Sequence, residues 1–324
     1  MASAGEGWAA IASNDLRTFG APTELAEPMD ALWRRSDQLW IASAGIRPGT
    51  GMVRPVRVDR ARLNVGVGVE VGAVPCALRE VDGMLFAACY MSGRVDVLEC
   101  STNFDDLTVC GSIVSEDLGM SRRAGSSPRQ DRSHPHDVCS LPGQNRAVIA
   151  DLGTDQLYVV DTRAYAIVDT IGIDVAAGPR RVVRLPSGEL IVACELDSTV
   201  RLLAPTPTGF AAVDCVASTA GDRKDNFVGD LVMTSPRSFV VANRGNGTLA
   251  GFVVAGARLY AQFEVSSGGE WPASLDVSDE QLAVANEHSN TLAVFVVSAG
   301  GIQMSHAIPA AAPTLVRFAP IPPE

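Results

Sequence analysis

The 324-residue chain carries one lysine, Lys224, and all its other basic residues are arginines. Schiff-base chemistry would rest on that single residue in a polar loop and is set aside. Acidic residues outnumber basic ones by 37 to 26, giving a net charge of −11. Nucleic-acid binding is therefore not expected, because it needs a basic face to displace counterions from phosphate. Long apolar runs are also missing. Stretches such as Leu292–Val297 fall far short of the roughly 20 residues that span a bilayer. The opening Met-Ala-Ser-Ala-Gly-Glu has neither the basic nor the apolar region of an export signal. The expectation is a cytoplasmic protein without membrane contact. Seven cysteines, an odd number with no C-x-x-C pair, argue for reduced thiols over a disulfide framework. The G-x-S-x-G, G-x-x-x-x-G-K-[ST] and H-E-x-x-H signatures are absent. Of four histidines, only His134-Pro-His136 forms a pair, and two ligands do not make a metal site. Neither a metal nor an organic cofactor is expected.

What the chain does contain is a repeat. Apolar, β-rich runs recur in pairs, separated by polar turns of four to six residues: Leu85–Tyr90 with Gly93–Leu98, Ala147–Leu152 with Gln156–Val160, Leu190–Glu195 with Thr199–Leu203, Phe239–Arg244 with Thr248–Phe252, and Leu282–Glu287 with Thr291–Phe295. Equivalent residues Ala87, Ile149, Val192, Val241 and Val284 are spaced by 62, 43, 49 and 43 residues. A period in the forties with several short strands per unit marks a β-propeller. The unit at His136 divides into strands His136–Leu141, Ala147–Asp151, Gln156–Val160 and Ala166–Ile171. The expected fold is all-β, with residues 1–324 forming a single seven-bladed β-propeller domain of four-stranded antiparallel blades. A degraded first blade would combine residues near Trp8–Leu25 with a C-terminal strand, Pro313–Phe318, and so close the ring and remove exposed sheet edges. The long first step contains a polar insertion at about 117–133. The part from Ser121 to Ser133, with Arg122, Arg123 and Arg129, reads as a mobile loop rather than as a lid folded over the site. Gly66–Gly72 superficially suggests a dinucleotide loop, but its third glycine is misplaced and its valine alternation predicts a strand.

Topology then selects candidate residues. The first two strands of a blade are antiparallel, so the start of one and the end of the next share a face of the disk. His136 and Arg180 begin first strands, whereas Glu195 and Arg244 end second strands. Three consecutive blades thus direct an imidazole, two guanidiniums and a carboxylate at one rim of the channel. Charged groups there need partners or solvent, so the cluster is a functional-site candidate, against the plainer readings of an Arg180–Glu195 structural salt bridge, a loop-bonded His136 and a solvated Arg244 turn. Asp151, in Asp151-Leu-Gly153, is expected instead to bond loop amides.

The ordered set His134-Pro-His136, Asp151-Leu-Gly-Thr-Asp155, Gly178-Pro-Arg180 with Glu195-Leu196, and Ala242-Asn-Arg-Gly245 resembles the seven-bladed lactonase propeller family. That family includes propeller-type 6-phosphogluconolactonases and carboxymuconate lactonizing enzymes. The resemblance implies that His136, Arg180, Glu195 and Arg244 match its proposed active-site residues, without metal or cofactor. The chain departs from the pattern in three places. Cys89 stands where Asn is usual, Arg181 where His is common, and Ala273 where Arg is usual.

The expected activity is opening of a small anionic sugar lactone such as 6-phosphogluconolactone. His136, titrating near neutrality, would be general acid/base, a contribution of about 10²–10⁴-fold. Glu195 would activate water or orient His136. Arg180 and Arg244 would hold the oxyanion or an anionic substrate group. The same residues suit a lactonizing cycloisomerase, and a propeller that binds a ligand or partner without turnover is a third reading.

Overall fold

A computed structural model describes residues 7–12, 15–20, 25, 27–45, 47–59, 62–101, 103–114 and 127–320. The paired apolar runs are strands, and the strands are grouped in antiparallel sheets. β1 (Gly7–Ala12) and β2 (Asp15–Gly20) form a two-stranded hairpin. The next sheet holds β3 (Pro28–Arg35), β4 (Gln38–Ala44), β5 (Thr50–Asp59), β6 (Arg62–Val65) and β7 (Val69–Gly72). Five four-stranded sheets follow: β8 (Pro75–Val81), β9 (Met84–Cys89), β10 (Arg94–Cys100) and β11 (Leu107–Val114); β12 (Pro135–Leu141), β13 (Arg146–Asp151), β14 (Gln156–Asp161) and β15 (Ala166–Gly172); β16 (Pro179–Arg184), β17 (Leu190–Cys194), β18 (Thr199–Thr206) and β19 (Gly209–Ala217); β20 (Val228–Ser235), β21 (Ser238–Asn243), β22 (Thr248–Ala255) and β23 (Arg258–Ser266); and β24 (Pro272–Ser278), β25 (Gln281–Asn286), β26 (Thr291–Ser298) and β27 (Gly301–Pro309).

Middle strands are buried on both faces because neighbouring blades sandwich them; every residue of β17 is buried. This is why they read as continuous apolar runs rather than alternating ones. Outer strands such as β19 and β27 expose most of their residues. Inter-blade cores form where adjacent sheets meet, as where Ile191, Val200 and Leu202 pack with Phe239, Val241 and Phe252.

Two expectations change in the first part of the chain. Gly66–Gly72 is not one strand: β6 and β7 both pair with β5, and the chain bends over Gly66–Gly68 between them. A Cβ on Gly68 would lie 2.5 Å from the Arg54 side chain, so only glycine allows that approach. Among the described residues there are six sheets of four or more strands, and no ladder joins the β1–β2 hairpin to Pro313–Phe318. That C-terminal segment is extended, with an isolated bridge at Phe318, and is seated between β24 and β3. Side chains hold it there. Ser274 Oγ accepts Val316 N, Asp276 Oδ2 accepts Phe318 N, and Arg317 Nε donates to Ala31 O.

The first strand of each blade has one edge facing the channel, where its N–H groups lack a ladder partner. Aspartates from a neighbouring blade fill that need. Asp30 accepts Leu78 N at 2.9 Å, Asp137 accepts Val182 N at 3.1 Å, and Asp230 accepts Leu275 N at 2.9 Å. Arginines alternate with them. Arg79 reaches Asp30 at 2.6 Å and Asp137 at 2.8 Å, Arg181 reaches Asp230 at 2.6 Å and Asp137 at 3.5 Å, and Arg317 pairs with Asp30. Burial alone would raise the Asp30 carboxyl, but Arg317, Arg79 and Arg181 outweigh it and hold it well below the usual range. This ionic ring joins the first strands of neighbouring blades. On one side of it lies the site described next. On the other, the channel widens into a cavity of about 430 Å³ lined by Trp33, Asp276, Val277 and Phe318.

Candidate active site

Two sets of equivalent backbone positions build the mouth. In five of the six larger sheets the first strand starts at a proline, tolerated there at a strand's first residue, and the register slips by one residue directly after it. The slipped residue is Met29, Cys76, His136, Arg180 or Ala273. The sixth sheet slips after Val228, over Gly229 and Asp230. Such bulges re-aim a side chain out of the sheet. The second set is the residue after the second strand in the five sheets that follow the β3 sheet: Tyr90, Leu152, Glu195, Arg244 and Glu287. Each is pinned by its N–H to a carbonyl just before its blade's first strand, Glu195 to Gly178 O at 2.8 Å and Arg244 to Phe227 O at 2.9 Å.

All four residues expected from the sequence meet here. Arg180 is the hub: Nη1 lies 2.7 Å from His136 Nε2 and 2.7 Å from Glu195 Oε2, while Nε donates to Gly229 O at 2.5 Å. Arg244 Nη1 lies 3.5 Å from Glu195 Oε1. Glycine at 229 is required, since a Cβ there would sit 2.9 Å from Arg244 Nε and 2.7 Å from Pro272 O. His136 and Glu195 do not bond to one another; Arg180 joins them.

A third arginine was not among the expected set. Arg129, on a short 3-10 turn over Pro128–Gln130 capped by Ser127, pairs with Glu195 through Nη1 at 2.5 Å and Nη2 at 3.3 Å. Its Nε donates to the Tyr90 hydroxyl at 3.1 Å, and its guanidinium lies 5.7 Å from that ring's centroid. The end of the polar insertion is thus not the mobile loop expected. Residues 127–133 are anchored because Gln130 donates to Leu152 O and Asp155, and Ser133 to Asp151. Ser121–Ser126, with Arg122 and Arg123, lie outside the described residues. Asp151 does bond loop amides, accepting His134 N, Gly153 N and Thr154 N.

Aromatic rings brace the cations. Tyr90 stacks on His134 at 4.3 Å and meets His136 edge-on at 5.6 Å. Trp271 stacks on His288 at 4.8 Å and carries the Arg244 guanidinium 5.8 Å from its centroid. The His134 ring nitrogens face Tyr90 O and Asp131, away from His136.

Three guanidiniums around one carboxylate decide the electrostatics. Burial would raise the Glu195 carboxyl, but Arg180, Arg244 and Arg129 together drive it far below the usual range. Burial, and then the Arg180 charge, push His136 well below 6.5, so it departs from the near-neutral titration expected of it. Burial and Arg180 also lower Arg244, to about 10, which leaves it charged at neutrality. Its Nε is buried with no hydrogen-bond partner among the described residues. Around Glu195 three guanidiniums thus face one carboxylate, and one of their donors is unsatisfied.

A propeller with an arginine-rich mouth is the class that fold and site define. The chain matches the family described as "Lactonase, 7-bladed beta-propeller" over residues 37–318. It belongs to that lactonase family. It is 29% identical over 240 residues to the 6-phosphogluconolactonase of Bacillus subtilis, a match covering 69% of this chain and 66% of that protein. Among solved structures, a protein from Lactobacillus plantarum superposes with a TM-score of 0.82 at 21% identity, covering 93% of this chain and 91% of that one. The periplasmic gluconolactonase of Pseudomonas aeruginosa superposes with a TM-score of 0.76 at 23% identity, covering 88% and 86%. These two likenesses concern the fold.

Proposed function

We propose that this mouth hydrolyses a small anionic lactone, with a phosphorylated sugar lactone such as 6-phosphogluconolactone as substrate. The observation that carries the reading is Arg244, a charged side chain with an unpartnered buried Nε beside Arg180 and a neutral His136. The name of the Bacillus subtilis relative supports the substrate class. In this reading Arg244 takes the substrate's anionic group, and Arg180 turns Nη1 toward the oxyanion that forms when water adds to the lactone carbonyl. That turn frees the His136 Nε2 lone pair to accept the proton of the attacking water. His136 then returns it to the ring oxygen as the acyl C–O bond breaks. Glu195, caged by three arginines, orients them and is not the base. We read the seventh blade as the β1–β2 hairpin together with Pro313–Phe318. We place the protein in the cytoplasm, where seven free thiols stay reduced.

The test is turnover of 6-phosphogluconolactone beyond its spontaneous opening, set against cyclisation of carboxymuconate, by the wild type and by His136→Ala. Lactone turnover that the substitution abolishes supports the hydrolase. Muconate turnover alone would make the protein a cycloisomerase, and activity in neither assay a binding module.

The pH profile gives a second check. Because burial and Arg180 oppose protonation of folded His136, the base form persists as pH falls through 6.5. The kcat/KM plateau should extend below that value before it drops. An acid limb centred at 6.5 would show an unperturbed histidine and contradict the assignment.

A further inference from the structure

We infer that Cys76 is a positioning residue that acts with Arg180 to hold the tautomer of His136 in which Nδ1 carries the proton and Nε2 presents its lone pair to Arg180. Every guanidinium nitrogen carries hydrogen and has no lone pair to offer. A contact of 2.7 Å between Arg180 Nη1 and His136 Nε2 is therefore a hydrogen bond only if Nε2 is the acceptor. In a neutral imidazole the proton then resides on Nδ1. That nitrogen faces Cys76 Sγ at 3.6 Å, within the range of a bond to sulfur.

The thiol is suited to accept it. Its own S–H has three backbone carbonyls within reach, Ala88 O at 3.6 Å, Pro135 O at 3.7 Å and His136 O at 3.6 Å, so its lone pairs stay free for Nδ1–H. Burial pushes the thiol up to about 12, which keeps it neutral and rules it out as a nucleophile at neutral pH. A carboxylate at this place would favour imidazolium beside Arg180. Cysteine supplies an acceptor without a charge. Its place comes from the register slip after Pro75, the same slip that follows Pro135 and Pro179 and aims His136 and Arg180 at the mouth. With the thiol removed, the buried Nδ1–H is left with the carbonyl of its own residue alone. The competing Nε2–H form would set two donors against each other at Arg180.

The consequence for turnover rests on the lactonase reading, but the tautomer does not. The experiment is nitrogen-15 NMR of the imidazole side chains in wild type, Cys76→Ala and Cys76→Ser, with His136→Gln to assign the signals. The expected result is a pyrrole-type Nδ1 and a pyridine-type Nε2 on His136 in the wild type. Cys76→Ala should shift both nitrogens toward a mixture of forms, and Cys76→Ser should retain the wild-type pattern. In kinetics, Cys76→Ala should lower kcat about tenfold with little change in KM, and the serine variant should recover most of it. An Nε2–H wild type, or unchanged nitrogen signals in Cys76→Ala, would overturn the inference. If the tautomer responds as stated but no lactone is turned over, the positioning stands and the proposed function falls.

Discussion

Arg180→Ala is expected to lower kcat/KM for lactone opening by about 10²–10³-fold, the usual loss when one preorganised oxyanion donor is removed. One side chain here holds His136 Nε2, Glu195 Oε2 and Gly229 O. Its loss frees the imidazole to rotate and leaves Glu195 with Arg129 and the longer contact from Arg244. Arg180→Lys should recover little, because a point charge cannot serve three acceptors in fixed directions. Steady-state kinetics with a parallel thermal melt separates the two explanations for lost activity. The account expects a wild-type melting temperature to within a few degrees. Activity within about threefold of wild type would remove Arg180 from the machinery.

Asp30→Asn is expected to cost about 3–5 kcal/mol of unfolding free energy, the range for breaking a buried ion pair while leaving its partners charged. Asp30 is 1% exposed. It accepts Ala31 N and Leu78 N and pairs with Arg79 and Arg317. It thus ties the β3 sheet to the β8 sheet on one side and to the closing C-terminal segment on the other. The sign of its pH dependence follows from its depressed folded pKa. The stabilisation is complete above the ordinary value of 3.8 and is lost as pH falls below it. Chemical denaturation at neutral and at acid pH should show a gap between wild type and variant that narrows only on acidification. A change under 1 kcal/mol at neutral pH would mean that the ionic ring does not hold the closure.

Much of the architecture could be read from local pattern because each blade is local in sequence. The expected strands from His136 to Ile171 coincide with β12–β15 to within a residue or two. His136, Arg180, Glu195 and Arg244 were legible because the antiparallel order of the first two strands determines which residues share a face. The parts that were missed depend on distant partners. Asp30 and Arg317 are 287 residues apart, and nothing in either neighbourhood announces the pairing. Arg129 was hidden by composition: a Gly-, Ser- and Arg-rich stretch looks mobile, whereas Gln130 and Ser133 anchor its end through Asp155 and Asp151. Cys76 had a usable signal. It follows a strand-initial proline, as do His136 and Arg180, and aligning the repeats on that proline would have placed it in the same ring.

The central claim is that an anionic lactone is opened at the Glu195 mouth of the channel. A crystal structure with the hydrolysis product 6-phosphogluconate bound tests it most directly. An anionic group of the product is expected on the Arg244 guanidinium, with the new carboxylate within hydrogen-bond reach of Arg180 and His136. Product found instead in the cavity beyond the ionic ring, against Trp33 and Phe318, with the Arg180–Glu195 cluster unchanged, would contradict it.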